Sequence, residues 1–213
     1  MKKAMVLVAL FVTVVSFASN RAQAPAPNVK SYTFKCDGTS VAQYTGQDGK
    51  VQNPTSSNTN SVGTETDTTN GNAIVVQNSS QDQYFDTSSG KWLVGVKVTS
   101  SRTTTKAQLA NNMVRETSST VSNFTNSNGS TSSTTKNTVS DYSVGSDGTK
   151  TLVDLWMDGE PVNLDGIASF EMDQPDGTRI FVWEQNKAQT IPQADGGNYQ
   201  ILSEKTVCTY SLR

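Results

Sequence analysis

The chain opens with a short basic start and an apolar run, and further on it is dominated by two-residue alternation of apolar and polar positions. Within residues 1–18, two lysines precede the apolar run from Ala4 to Val15, and Ser16 and Ala18 are small residues at the −3 and −1 positions of a cleavage site. This layout is typical of a secretory signal peptide. The run is shorter than the roughly 17–25 apolar residues that a membrane-spanning helix needs. We therefore expect cleavage after Ala18, a periplasmic or secreted protein, and no transmembrane span in the mature chain.

The first part of the mature chain predicts a leader followed by a strand. Residues 19–29 are interrupted by prolines and have little to bury, so we interpret them as a flexible leader. From Tyr32 to Cys36 apolar and polar side chains alternate, which predicts a strand. We expect Asp37-Gly38 to end it and residues 41–44 to form a short return strand. Residues 30–213 are expected to form a single β-rich domain.

Two tracts consist mainly of serine, threonine and asparagine. These residue types fill 13 of the 18 positions between Asn53 and Asn70 and 19 of the 24 positions in 117–140. Such a composition buries too little apolar surface to offset the entropy of ordering the chain. We therefore expect polar loops near 46–71 and 117–140. The second tract has an alternative, because threonine favours strands and Asn126–Gly129 would supply the turn of a solvated hairpin.

The remaining segments predict further strands. Residues 91–99 alternate in polarity and pair with 83–86 as a hairpin. Residues 103–116 allow either a strand or one short helix. In the C-terminal third, residues 178–184 carry apolar side chains on both faces, which indicates a strand that is covered on both sides. The last strand is expected to run from Tyr199 to Leu212.

These elements predict an all-β fold. About eight to ten strands are joined by turns that contain Gly, Asp or Asn, and no regular alternation with long helices is present. We expect an antiparallel sandwich or barrel-like sheet with long Ser/Thr/Asn-rich loops. Cys36 and Cys208 lie on the apolar faces of the first and last strands. In an oxidising compartment they are predicted to form a disulfide that places these two strands side by side.

Composition narrows the range of functions. Removing Lys2 and Lys3 with the signal peptide reduces the 17 basic side chains to 15 against 19 acidic ones, a formal net charge of −4. A mildly acidic domain without a basic run is a poor candidate for binding nucleic acid. The chain has no histidine, which removes Ser-His-Asp and Cys-His catalysis. We expect no enzyme, no catalytic residue, no metal ion and no cofactor, with catalysis by carboxylates alone as the alternative.

The densest group of carboxylates lies between Asp154 and Asp173. Paired carboxylates can hydrolyse a glycosidic bond, and oxygen ligands around Asp158 and Asp165 could hold calcium. Neither arrangement shows a diagnostic spacing. The favoured interpretation is that Asp158 and Asp165 flank a turn.

The three tryptophans provide the best candidates for a binding surface. Trp156 shares a predicted face with Asp154 and Asp158 and is the tryptophan expected to reach solvent. If Trp92, Trp156 and Trp183 were exposed together, they could form a stacking platform for sugar rings or line an apolar ligand. Trp183 is expected in the core.

The sequence as a whole favours an exported, non-enzymatic β-protein of the bacterial envelope or exterior that acts by binding a glycan, a protein or a lipid. One alternative is a carrier that holds an apolar ligand such as a lipid in a β-sheet cavity. A second alternative is a carboxylate-based hydrolase.

Overall fold

The computed structural model describes residues 30–67, 72–86, 91–193 and 196–213. The predicted signal peptide and leader lie outside these residues. The described residues form twelve strands: β1 (Ser31–Thr45), β2 (Thr55–Asp67), β3 (Ala73–Asp86), β4 (Lys91–Gln108), β5 (Met113–Asn126), β6 (Thr131–Val144), β7 (Lys150–Met157), β8 (Glu160–Pro161), β9 (Ile167–Asp173), β10 (Arg179–Gln185), β11 (Gln189–Pro192) and β12 (Asn198–Leu212).

Ten of these strands form a closed antiparallel barrel. Strands β1 to β7 are neighbours in sequence order, and the sheet continues through β9, β10 and β12. Strand β12 then pairs with β1 along almost its whole length, which closes the barrel. The short strands β8 and β11 pair only with β7 and β12, respectively. The predicted all-β fold is confirmed, and its form is a barrel.

The described residues contain no helix, and so none that could cross a membrane. The short helix allowed for residues 103–116 is therefore absent. Strand β4 continues to Gln108, and Asn111 and Asn112 form a turn with φ values of 59° and 54°. Asparagine tolerates this left-handed conformation better than most residues. Strand β5 begins directly afterwards at Met113.

The polar tracts are strands over most of their length. The loop prediction for 46–71 is wrong over Thr55–Asp67, which is β2, and the loop prediction for 117–140 is wrong because the tract forms parts of β5 and β6. The hairpin alternative for the second tract is the observed structure. Each of these strands pairs with a neighbour on both sides. These ladders satisfy the backbone groups, so the strands do not need many apolar side chains.

Strand β1 is longer than the sequence predicted. Residues 41–44 are not a return strand, because β1 continues through Asp37 and Gly38 and pairs with β2 and β12 on either side. The predicted hairpin of 83–86 with 91–99 is confirmed as part of the β3–β4 pair.

The disulfide is confirmed. Cys36 and Cys208 occupy directly paired positions on β1 and β12, and their sulfur atoms are bonded. Both side chains are buried among aromatic residues. Among these, the rings of Phe34 and Tyr210 have centroids 5.0 Å apart. The bond therefore joins the closing strand pair from the inside of the barrel.

Gly63 on β2 allows the ring of Phe34 to lie against the backbone. A β-carbon at Gly63 would stand 2.5 Å from Cζ of Phe34 and 2.3 Å from the carbonyl oxygen of Val76. Both distances are far below van der Waals contact. The glycine thus makes room for a core aromatic side chain beside the disulfide.

Replacing both cysteines by alanine should destabilise the protein strongly. The bond joins residues 172 positions apart, and the chain-entropy treatment assigns a loop of this size about 5 kcal/mol, an upper value. Urea unfolding of the Cys36→Ala/Cys208→Ala variant should show a lower midpoint, and wild type with reductant should match it. An unchanged midpoint, or free thiols in the oxidised protein, would contradict this assignment.

Replacing Gly63 by alanine should lower the free energy of unfolding by about 1–3 kcal/mol, the range for overpacking a core. The matched control is Asn60→Ala on the exposed face of the same strand, which should change it by no more than about 0.5 kcal/mol. Equal effects of the two substitutions in urea unfolding would show that Phe34 does not need the glycine.

Candidate functional site

The inner wall of the barrel has two different sides. One side, formed by β1, β7, β10 and β12, carries large apolar and aromatic residues such as Phe34, Leu155, Phe181 and Trp183. The other side, formed by β2 to β6, carries many short polar residues together with an apolar cluster of Val96, Val98 and Phe124. Its buried serine and threonine residues are Ser57, Ser61, Ser79, Ser100, Thr104, Ser118, Thr120, Ser122, Thr138 and Ser140. We call this hydroxyl-rich side the polar wall.

Several hydroxyl groups of the polar wall are paired across neighbouring strands. The Oγ atoms of Ser100 and Ser122 lie 3.0 Å apart, and Thr104 Oγ1 lies 2.9 Å from Ser118 Oγ. Each hydroxyl can donate one hydrogen bond and accept others. Each pair therefore leaves acceptor capacity that these two contacts do not use.

Buried and nearly buried charged residues collect inside the barrel near the end at which β1 begins and β12 ends. We call this set the inner charge cluster; its members are Glu65, Arg102, Lys106, Glu116, Lys150, Glu171 and Arg179. Charges are rarely buried unless they are paired, because removing an ion from water is costly.

A chain of ion pairs joins five members of the cluster across the barrel. Lys150 Nζ lies 3.5 Å from Glu116 Oε1 and 3.4 Å from Glu171 Oε1. Arg179 Nε lies 3.5 Å from Glu171 Oε1, and its Nη1 lies 3.3 Å from Glu65 Oε1. Because these residues lie on β2, β5, β7, β9 and β10, the chain connects opposite sides of the wall.

Arg179 also contacts aromatic rings. Its guanidinium carbon lies 4.5 Å from the ring centre of Tyr32 and 5.8 Å from that of Tyr210. A cation over an aromatic face is attracted by the ring quadrupole. Arg179 is therefore held by carboxylates and rings together.

Arg102 differs from the other cations of the cluster. It is 4% exposed, and within the described part of the chain its Nε and Nη2 atoms have no hydrogen-bond partner. Lys106, by comparison, lies 3.8 Å from Asp67. Arg179 likewise has a third carboxylate partner, since its Nε lies 3.2 Å from Asp173 Oδ1. Arg102 is the cation of the cluster for which no ion pair is present among the described residues.

Burial changes the acidity of several inward carboxyl groups. It raises the pKa of Glu65 to about 7 against the opposing effect of Arg179, and it also raises the pKa of Glu171. Burial raises the pKa of Glu204 on β12 to about 8, although the indole of Trp183 donates a hydrogen bond to it. Burial therefore favours the neutral form of these inward carboxyl groups.

The predicted surface residues Trp156 and Asp154 lie on the outside of β7. A β-bulge interrupts the alternation, since Leu152 pairs with Tyr142 and Asp154 with the adjacent Asp141. Leu152 and Leu155 therefore both point inward. Asp154 and Trp156 therefore share the outer face of β7.

Trp156 borders an outer groove of about 390 Å³. The guanidinium of Arg115 lies 5.8 Å from the ring centre of Trp156 and forms two hydrogen bonds of 2.7 Å to Asp141. The groove is lined largely by outward residues of β4, β5 and β6, including Thr103, Thr105, Thr117, Ser119, Asn137 and Val139.

Trp92 and Trp183 lie in other parts of the barrel than Trp156. Trp92 packs beside Tyr199, with ring centres 6.2 Å apart, in a separate cluster with Ile191 and Ile201. Trp183 is buried in the main core, as predicted. A shared platform of Trp92 and Trp156 is therefore not formed.

The carboxylates between residues 154 and 173 do not form one group, although Glu171 and Asp173 share Arg179 as a partner, at 3.5 Å and 3.2 Å from its Nε. Asp158 accepts a 2.8 Å hydrogen bond from the amide of Asn137, and Asp165 is ion-paired with Lys187. Only Glu171 of this group belongs to the inner charge cluster. In the described ranges, no group of three or more Cys, Asp or Glu side chains is placed to hold a metal ion.

Sequence reasoning missed the inner charge cluster. Arg102 and Glu116 stand at inward positions of β4 and β5, within tracts rich in threonine and serine. Their alternation with outward hydroxyl residues was the available signal. This alternation can be interpreted only if the tract is first assigned as a strand.

The chain matches no protein-family model and no curated protein sequence.

The raised pKa of Glu204 predicts a pH-dependent stability. Between its ordinary value of 4.5 and about 8, the folded state holds a proton that the unfolded chain has released. Stability should therefore fall as pH rises through this window, by up to about 1.4 kcal/mol per pH unit. Glu204→Gln retains a neutral group and should show a smaller fall in melting temperature from pH 5 to pH 8.

The control for this prediction is Glu160→Gln, since Glu160 is exposed. Its profile should follow that of the wild type. Parallel profiles for Glu204→Gln and wild type would mean that Glu204 is ionised in the fold.

Proposed function

We propose that this chain is an exported, non-enzymatic binding protein that holds a small polar ligand in the lumen of its barrel. The observation that carries the proposal is the polar wall. Barrels of about eight strands are just wide enough to be filled by side chains or to hold one small ligand. A ten-stranded barrel is wider, and short residues such as Ser100, Ser122 and Thr120 project little into it.

A polar ligand fits this lumen better than an apolar one. Hydroxyl groups along β2 to β6 offer donors and acceptors, and an apolar ligand would bury them without replacing their hydrogen bonds, at a cost of about 1–3 kcal/mol for each unsatisfied group. The inner charge cluster would be desolvated in the same way. The lipid carrier is therefore the weaker alternative.

The arrangement of the buried carboxylates also favours a binding role over a hydrolytic one. A glycoside hydrolase uses two carboxyl groups that flank the scissile bond as acid and base or nucleophile. Glu116, Glu171 and Glu65 are instead each joined to Lys150 or Arg179. Export is supported by the signal-peptide layout of residues 1–18.

The outer groove at Trp156 supports a second binding mode. An aromatic side chain beside hydroxyl and amide groups is suited to a sugar ring. Because the groove and the lumen lie on opposite faces of the same wall, adjacent substitutions can separate them.

Native mass spectrometry of the full secreted protein tests the proposal with two matched variants. Ser100→Leu places bulk in the lumen, whereas Ser101→Leu places it on the exposed face of the same strand. Wild type and Ser101→Leu should carry a bound small molecule, or bind members of a panel of sugars, amino acids and organic acids, and Ser100→Leu should lose it. Equal binding by all three proteins would exclude the lumen, and loss in Trp156→Ala alone would favour the groove.

A further inference from the structure

Strand β6 extends beyond the end of its neighbour β7. It begins at Thr131, but its pairing with β7 begins only at Thr138. Strand β7 ends at a tight turn in which Asp158 and Gly159 have φ values of 50° and 90°. Among the described strands only β5 and β7 contact β6. Residues 131–136 therefore pair with a strand on one side alone, and we call their other side the free edge.

The free edge presents backbone groups that have no partner. The carbonyl of Asn137 accepts a hydrogen bond from the amide of Asp158, and Asp158 Oδ1 accepts one from the amide of Asn137. Both groups of Asn137 thus point away from β5. Residues two apart along a strand present their backbone groups to the same side. The amides and carbonyls of Thr131, Ser133 and Thr135 therefore also point away from β5, and none of them has a hydrogen-bond partner among the described residues.

The free edge is open to an added strand. On the other flank, the pairing of β10 with β12 ends at Glu204, and the short strand β11 then covers the next part of β12. No described strand covers β6 in this way. The free edge has no proline or bulge, which are devices that block strand pairing. Its residues Thr131, Ser133 and Thr135 are exposed.

Lys136 is the charged residue of the free edge. It is half-buried on the inner side of β6, where its cross-strand partner on β5 is Thr120. Burial lowers the pKa of Lys136 and the nearby Asp158 opposes this shift, but Lys136 forms no ion pair within the described part of the chain. A charge that is removed from water is costly unless it is paired. A carboxylate on an added strand would supply the missing partner.

An extended peptide fits the free edge better than a second copy of the chain does. Six residues are far fewer than the roughly 20–30 per side of a stable protein–protein interface, whereas strand addition binds short peptides through backbone hydrogen bonds. A second copy paired along the same residues would bring no carboxylate to Lys136. The leader, residues 19–29, has no carboxylate either, and its two prolines lack amide donors.

We propose that the free edge of β6 binds an extended segment of a partner protein by strand addition, with an acidic side chain of the partner opposite Lys136. The amides and carbonyls of Ser133 and Thr135 would form the ladder. The position opposite Lys136 is then a non-hydrogen-bonded one, at which facing side chains are closest. The inference does not depend on ligand binding in the lumen.

A synthetic peptide with blocked ends, Thr-Glu-Thr-Val-Thr-Val-Thr, tests the inference by fluorescence anisotropy with the full secreted protein. The wild type should bind it, and a lysine in place of its glutamate should weaken binding by about tenfold, because a like charge then faces Lys136. N-methylation of the second and third threonines, whose amides face β6, should abolish binding. N-methylation of the two valines, whose amides face away, should not. Absence of binding, or binding that survives methylation of the threonines, would overturn strand addition.

Two substitutions on β6 identify the binding edge. Ser133→Pro removes an amide that points away from β5, and proline is tolerated where the amide of a strand faces solvent. This variant should keep a melting temperature near that of the wild type and bind the peptide at least about tenfold more weakly. Ser133→Ala keeps the amide, is the matched control and should bind like the wild type. Equal binding by Ser133→Pro and wild type would overturn the inference.

Lys136→Gln tests the predicted charge pair. This variant should bind the glutamate and lysine peptides equally. Lys97→Gln, which changes an exposed lysine on β4, is the control and should retain the preference for glutamate. A preference that survives in Lys136→Gln would show that Lys136 does not select an acidic partner, and the predicted charge pair would be wrong.

Hydrogen exchange tests the free edge in the wild type alone. The amides of Ser133 and Thr135 should exchange fast in the free protein and slowly with the peptide, whereas those of Ser132 and Thr134, which face β5, should exchange slowly in both. Slow exchange of all four in dilute free protein would show that the edge is already covered. Protection that rises with protein concentration without peptide would assign the edge to a second copy. Either result would overturn the inference.

The two proposals fail separately. Ser100→Leu should bind the peptide like the wild type even where it loses the lumen ligand. If the wild type binds the peptide but holds no small molecule, only the lumen proposal falls. If it holds a small molecule but does not bind the peptide, only the present inference falls.

Discussion

The pairing of β1 with β12 is the interaction on which the rest of the structure depends. It joins the two ends of one continuous sheet and removes both edges, and the disulfide between Cys36 and Cys208 fixes it from within. Closure also determines whether the inward side chains are exposed to water or buried. In an open sheet the residues of β2 to β6 would face water, whereas in the closed barrel their hydroxyl groups and charges must find partners inside.

The inner charge cluster follows from this constraint. Removing one partner of a buried ion pair typically costs about 3–5 kcal/mol, because the other charge is left uncompensated, whereas a well-packed apolar replacement of the whole group is often neutral or stabilising. An apolar core would therefore have served stability equally well. Stability alone therefore does not explain the chain of pairs from Glu116 to Glu65.

The parts of the fold that depend on local alternation could be predicted from the sequence. The alternation around Cys36 and Cys208 identified both strands and their apolar faces, and the all-β class followed. The tract 55–67 was predicted to be a loop because its side chains are polar. It forms a strand because pairing on both sides satisfies its backbone hydrogen-bonding groups. The bulge beside Asp154 depends on strand register, and the burial of the face of β4 that carries Arg102 depends on closure of the barrel; a single sequence contains neither. The candidate site was missed for the same reason: its charged residues are distant in sequence and meet only in the closed barrel.

A high-resolution crystal structure of the protein, purified from the exporting host without added organic acids, tests the central claim most directly. The account predicts electron density for a small molecule in the lumen, within hydrogen-bond distance of hydroxyl groups of the polar wall. A lumen that contains only protein side chains and ordered water would contradict it.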